Sequence, residues 1–129
     1  MGVNRLQRLE SLSFMAHSPT DFVVVLVTLP DGDTAARVGR TLVEEKLAAC
    51  VNVIPGLRSI YEYGGKLCDD AEVLCLFKTR RSLYPALRDR MTALHPYQVP
   101  EIIAVPLAEG NAPYLAWLEG STGATPSGS

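Results

Sequence analysis

The pair Gly64-Gly65 limits this chain more than any other feature. It sits between two extended, alternating runs, one ending at Tyr63 and one starting at Lys66. A two-residue turn there needs positive φ, which glycine adopts without steric cost. The turn sets Tyr63 opposite Lys66 and Tyr61 opposite Cys68. Leu57, Ser59, Tyr61 and Tyr63 then share one side of the ribbon, and Arg58, Ile60 and Glu62 share the other. An isolated two-stranded ribbon is marginally stable in water. Its far end therefore calls for a covering surface, and a second copy of the same chain is the simplest one.

The chain has 129 residues, which suits one domain with one real core. A hydrophobic fraction of 47% excludes a disordered chain. With 12 basic and 14 acidic residues well mixed, the net charge of -2 gives no general pull toward nucleic acid or an acidic membrane, and neither is expected as a partner. Phe22–Leu29 is the longest apolar run, far short of the roughly 20 residues of a membrane span. Cys50, Cys68 and Cys75 form no CxxC pair, and an odd number of cysteines fits a reducing compartment. No secretory h-region follows Arg5 and Arg8, and Met15 reads as a natural start ahead of the first strand.

In order, residues 1–21 read as a loosely held extension with weak helical spacing at Leu6, Leu9 and Leu12. Phe22–Leu29 is a strand buried on both faces. Pro30-Asp31-Gly32-Asp33 turns into a helix over Thr34–Leu47, capped by Asp33 or Thr34, with Ala35, Val38, Leu42 and Val43 on its inner face. A second strand starts at Val51 and is interrupted by Pro55-Gly56, a bulge or an edge. The hairpin follows, with Asp69-Asp70 exposed and Glu72–Thr79 in the core. Arg80–Leu94 is a helix with Ser82 as cap, Pro85 in its first turn and a stripe of Leu83, Leu87, Met91 and Leu94. Pro96 ends it at His95. Glu101–Leu107 is a fourth strand and Asn111–Leu118 a short closing helix. Residues 120–129 read as a flexible tail, leaving 22–119 as the domain. The order βαββαβ predicts an α+β, ferredoxin-like sandwich with strands in the spatial order 4-1-3-2, an extended hairpin between the second and third strands, and a terminal helix.

The runs KLAACVNVIPGLRSIYEYGGKL, EVLCLFKT, HPYQVPEIIAVP and YLAWL resemble the CutA family of divalent-cation tolerance proteins over Phe22–Glu119. The resemblance implies a small cytoplasmic homotrimer, similar in build to the PII signalling proteins, whose long hairpins wrap neighbouring subunits. It implies a role in tolerance of copper and other divalent metals, and no enzyme activity. Some members carry a metal-associated cysteine late in the first strand; Val27 occupies that place here.

The remaining candidate metal ligands are Cys50, His95 and Glu101, a set of thiolate, imidazole and carboxylate suited to copper or zinc, with no cofactor obligatory. Each has a plain structural reading beside it. Cys50 is a small apolar residue at a helix-to-strand joint, His95 a helix C-terminal residue favoured as a cation by the dipole, and Glu101 a solvated carboxylate. His95 and Glu101 are bridged by Pro96 and Pro100, which could stiffen both onto one rim. Lys66, Glu72, Lys78, Tyr97 and Trp117 are candidates for a ligand cleft between subunits, with Lys78 expected to be partly buried against a carboxylate. Arg80 and Arg81 open the second helix, the less favourable end for cations.

Two other functions are weighed. A PII-like small-molecule sensor would place its ligand in the intersubunit cleft, but such proteins use a long loop where Gly64-Gly65 is tight. An acylphosphatase-like hydrolase needs a phosphate cradle after the first strand, where Asp31 and Asp33 would repel phosphate.

Overall fold

The computed structural model describes residues 18–123. The elements are β1 (Phe22–Leu29), α1 (Gly32–Glu44), β2 (Cys50–Tyr63), β3 (Lys66–Arg80), a 3-10 turn (Arg81–Leu83), α2 (Tyr84–Leu94), β4 (Ile102–Pro106) and α3 (Ala112–Gly120). The sheet is antiparallel with order β2-β3-β1-β4, the arrangement expected from βαββαβ. Ordered chain precedes β1. A 3-10 turn over Pro19–Asp21 is closed by a capping box, in which Ser18 Oγ accepts from the Thr20 N–H and the Asp21 carboxylate accepts from the Ser18 N–H. Met15, His17 and the Leu6, Leu9, Leu12 spacing lie outside the described residues.

The core forms where alternation meets helical period. Val23, Val25, Val27 and Leu29 of β1 and Val73, Cys75 and Phe77 of β3 share one face. Against it pack Ala35, Val38 and Leu42 of α1 and Leu87 and Met91 of α2, all buried. Burial pushes the Cys75 thiol up to about 11, so this cysteine is a small apolar core residue without thiolate chemistry at neutral pH.

Helix ends depart from the sequence reading. Asp31 caps α1, its carboxylate accepting from the Thr34 N–H at 2.7 Å, so the helix starts at Gly32 and neither Asp33 nor Thr34 is the cap. The helix stops at Glu44. Lys46 takes φ +64°, with its N–H on the Val43 carbonyl and the Leu47 N–H on the Leu42 carbonyl. That is a Schellman closure, usually built on glycine, and a lysine there gives no sequence signal. Ser82 caps nothing: it lies inside the 3-10 turn that carries β3 into α2, while Pro85 falls in the first turn as expected.

On the other face of the sheet, α3 covers the Phe22 end, burying Phe22 and Ala49 with Leu115, Ala116 and Leu118. The Arg80 guanidinium donates to the Glu119 and Thr122 carbonyls and to Thr122 Oγ1. Its charge faces the negative end of α3, and no anion partner is needed to explain it. Thr122 is buried, and the Gly123 N–H donates to the Lys46 carbonyl. The chain is thus held through Gly123, past the Gly120 boundary at which the tail was expected to begin.

Two predictions follow from packing and capping. A Cβ on Gly39 would meet Val51 Cγ1 at 2.8 Å, and Val51 is stiff at χ1. Gly39→Ala gains helix propensity of about 1 kcal/mol but overpacks at a cost of about 1–3 kcal/mol. Urea denaturation should show a net loss that Val51→Ala largely removes. The Thr34 N–H holds the Asp31 carboxyl below its ordinary value of 3.8. A depressed folded pKa stabilises above the ordinary value and loses that effect as pH falls through the folded one. The deficit of Asp31→Ala at neutral pH should shrink on acidification below pH ~4, whereas a deficit independent of pH would contradict the capping role.

Candidate functional site

The hairpin turn has Gly64 at φ +62° and Gly65 at φ +79°, the two positive values of a type I′ turn. Tyr63 pairs with Lys66 and Tyr61 with Cys68, as the two-residue turn predicts. The pairing shifts between Ile54 and Leu57, so Pro55-Gly56 is a bulge, and it lies on an edge strand of the sheet. Beyond it the ribbon runs through Leu57–Tyr63, roughly 23 Å of strand. It is tied across by Arg58, whose guanidinium grips the Asp69 carboxylate at 2.8 and 2.7 Å, and by the Tyr61 hydroxyl donating to Asp70. Arg58 holds Asp69 below the usual carboxylate range, and the bond to Asp70 pushes the Tyr61 phenol up.

His95 ends α2, its N–H donating to the Met91 carbonyl. Its Nε2 lies 2.7 Å from the Thr28 carbonyl oxygen, and its Nδ1 lies 3.1 Å from the Tyr97 N–H. A carbonyl only accepts and an amide only donates, so the ring is neutral with its proton on Nε2. The expected dipole-favoured cation is therefore absent, and neither nitrogen offers a lone pair to a metal. The loop then sets the Tyr97 ring 4.7 Å from the His95 ring and aims the Tyr97 hydroxyl at Glu72 Oε2, 2.7 Å away. Glu72 is only 9% exposed. Burial first, then the bond to Glu72 and its charge, push the Tyr97 phenol up.

The proposed ligand set does not assemble within one chain. Cys50 stands in register with Lys78 and Val24, while His95 sits on Thr28, four residues further along β1, or about 13 Å of strand. The Cys50 sulfur lies 3.7 Å from the Tyr114 hydroxyl; burial and this contact push the Tyr114 phenol up to about 12. Glu101 is exposed just ahead of β4. Among the described residues, no group of three His, Cys, Asp or Glu side chains is placed to hold a metal ion. Of the cleft candidates only Glu72 and Tyr97 meet. Lys66 is at the ribbon tip, Trp117 stacks near Tyr114 in α3, and Lys78 donates to Asn52 Oδ1 at 2.6 Å in place of the expected carboxylate. Asn52 was legible once register was fixed, being the diagonal neighbour of Lys78; the Thr28 carbonyl, a backbone group, was not.

The profile of the CutA1 divalent ion tolerance protein family matches residues 23–121. The chain belongs to this family. A Thermus thermophilus divalent-cation tolerance protein CutA is 53% identical over 100 residues, 78% of this chain and 97% of the relative. A chloroplastic CutA 1 of Oryza sativa is 46% identical over 115 residues, covering 89% of this chain and 63% of its own. The solved Cut A1 structure from Thermus thermophilus superposes with a TM-score of 0.77 at 52% identity, over 79% of this chain and 99% of that one. A periplasmic CutA from Archaeoglobus fulgidus does so at 0.76 and 33% identity, over 78% and 97%. Within this CutA1 chain, the loop His95–Glu101 clasps α2, β1 and β3 through the buried His95 ring and the Tyr97 hydroxyl.

The clasp can be probed directly. Tyr97→Phe leaves the buried Glu72 carboxylate without its donor, which should cost about 1–3 kcal/mol in urea denaturation. In a Glu72→Gln background the same change should cost less. An equal loss in both backgrounds would mean that the hydroxyl does not serve Glu72.

Proposed function

We propose that this CutA1-family chain acts as a homotrimer in the response to divalent cations, binding copper or zinc weakly and catalysing no reaction. The observation that carries the reading is the uncovered apolar surface. On the ribbon, Ile60, Tyr63 and Leu67 are 64%, 62% and 79% exposed. On the sheet face not covered by α1 and α2, Ile54, Ile103 and Val105 are about half exposed beside Leu26, Leu74 and Leu76. Long, exposed, apolar strands of this kind are aggregation sites unless another chain covers them. A closed ring of copies gives each ribbon a neighbour to lie on and leaves no free end. The cytoplasm is the proposed compartment, in keeping with three unpaired cysteines.

Sedimentation equilibrium at micromolar concentration should return three times the chain mass, with or without chelator. Ile60→Lys with Leu67→Asp should shift it toward monomer. A monomeric unaltered chain would overturn the reading.

A further inference from the structure

The sheet face left open by α1 and α2 is interrupted by a charge at Lys78. This lysine stands directly opposite Val24 on one side and Cys50 on the other, with Leu76 two residues before it on the same face. Leu26, Leu74, Ile103 and Val105 extend the apolar surface around it. An ammonium carries three donors. Among the described residues Lys78 has one acceptor, Asn52 Oδ1, and that acceptor is neutral. Water serves the other donors while the face is open. Once another chain covers the face, an uncompensated ammonium is costly to bury, so the covering chain has to bring a carboxylate.

The ribbon of a second copy is the complementary surface. It is apolar at Ile60, Tyr63 and Leu67 and net acidic, with Glu62, Asp69, Asp70 and Glu72 against Arg58 and Lys66. β3 keeps its alternation from Lys66 to Arg80, so Asp70 and Glu72 project to the same side as Lys78. Where the open faces of a ring of copies meet, this is the side of the ribbon that reaches the next face. Glu72 is buried and already holds the Tyr97 hydroxyl. Asp70 is exposed, and the Tyr61 hydroxyl that donates to it leaves it lone pairs to spare. Asp70 and Lys78 are eight residues apart on one strand, about 26 Å, and cannot meet within a chain. We propose that Asp70 of one copy pairs with Lys78 of the next, the carboxylate oriented by Tyr61 and the ammonium by Asn52. The inference rests on the self-assembly part of the reading above and gives the contact its polar register.

Carbodiimide coupling of the unaltered full chain tests the contact, because it joins a carboxylate to an amine only where the two touch. It should give linked dimers and trimers on a denaturing gel, and mass spectrometry should find a peptide joining Asp70 to Lys78. This arm does not depend on any variant folding. Asp70→Lys and Lys78→Glu alone should each raise the concentration of half-dissociation tenfold or more, and the double exchange should restore most of the loss. Lys78→Met should also weaken assembly, although it adds apolar surface to the face. Tighter assembly of Lys78→Met, or single exchanges without effect, overturns the pairing. A trimer without the Asp70–Lys78 link overturns it too and leaves the assembly reading standing. A monomeric unaltered chain overturns both.

Discussion

The β1–β3 ladder is the constraint on which the molecule depends. Its pairs run from Phe22 with Arg80 to Leu29 with Val73, and no other element can replace either strand. The odd-numbered residues of this ladder make the floor on which α1 and α2 sit. The even-numbered ones make the face that α3 only partly covers. Because β3 is 15 residues long and β1 only eight, the ladder ends while β3 continues. The ribbon is what remains of β3 when its inner partner runs out, supported by β2 alone.

That geometry divides the polar chemistry into two kinds. Near the end of β1, His95, Tyr97 and Glu72 form a partly buried chain of hydrogen bonds: the Thr28 carbonyl accepts from His95, the Tyr97 amide donates to the His95 ring, and the Tyr97 hydroxyl donates to Glu72. Buried polar groups of this sort fix a structure because each is costly to leave unpaired. Out on the ribbon, Arg58–Asp69 and Tyr61–Asp70 are exposed and only lightly stabilising, so their partners are free to exchange for solvent or a ligand.

The architecture was legible because periodicity carries it. The short β-branched and apolar runs in Phe22–Leu29 and Glu72–Thr79, the stripe Leu87–Met91, and Gly64-Gly65 each state a local preference that the fold keeps. What failed was chemistry that depends on backbone groups or on unusual residues. Nothing in the sequence marks Lys46 for a left-handed conformation or Thr28 as the acceptor of the His95 proton. Cys50, His95 and Glu101 looked like a ligand set by residue type, but type does not report that the register places Cys50 and His95 well apart along the sheet. Glu72 and Tyr97 were both singled out; that they bond to each other needed the path of the loop.

The bulge in β2 has a consequence for how this protein can change. From Ile54 to Leu57 the strand advances three residues while β3 advances two, from Leu74 to Glu72. Cys50, Asn52 and Ile54, even-numbered, share a face with Leu57, Ser59, Tyr61 and Tyr63, odd-numbered. Deleting a single codon at Pro55 or Gly56 would leave one residue opposite Val73, with Ile54 still opposite Leu74 and Leu57 still opposite Glu72, so the strand would straighten and both tyrosines would keep their face. The bulge is thus a local detour of one residue, and the outer ribbon's face is set by its pairing with β3 and by the turn at Gly64-Gly65.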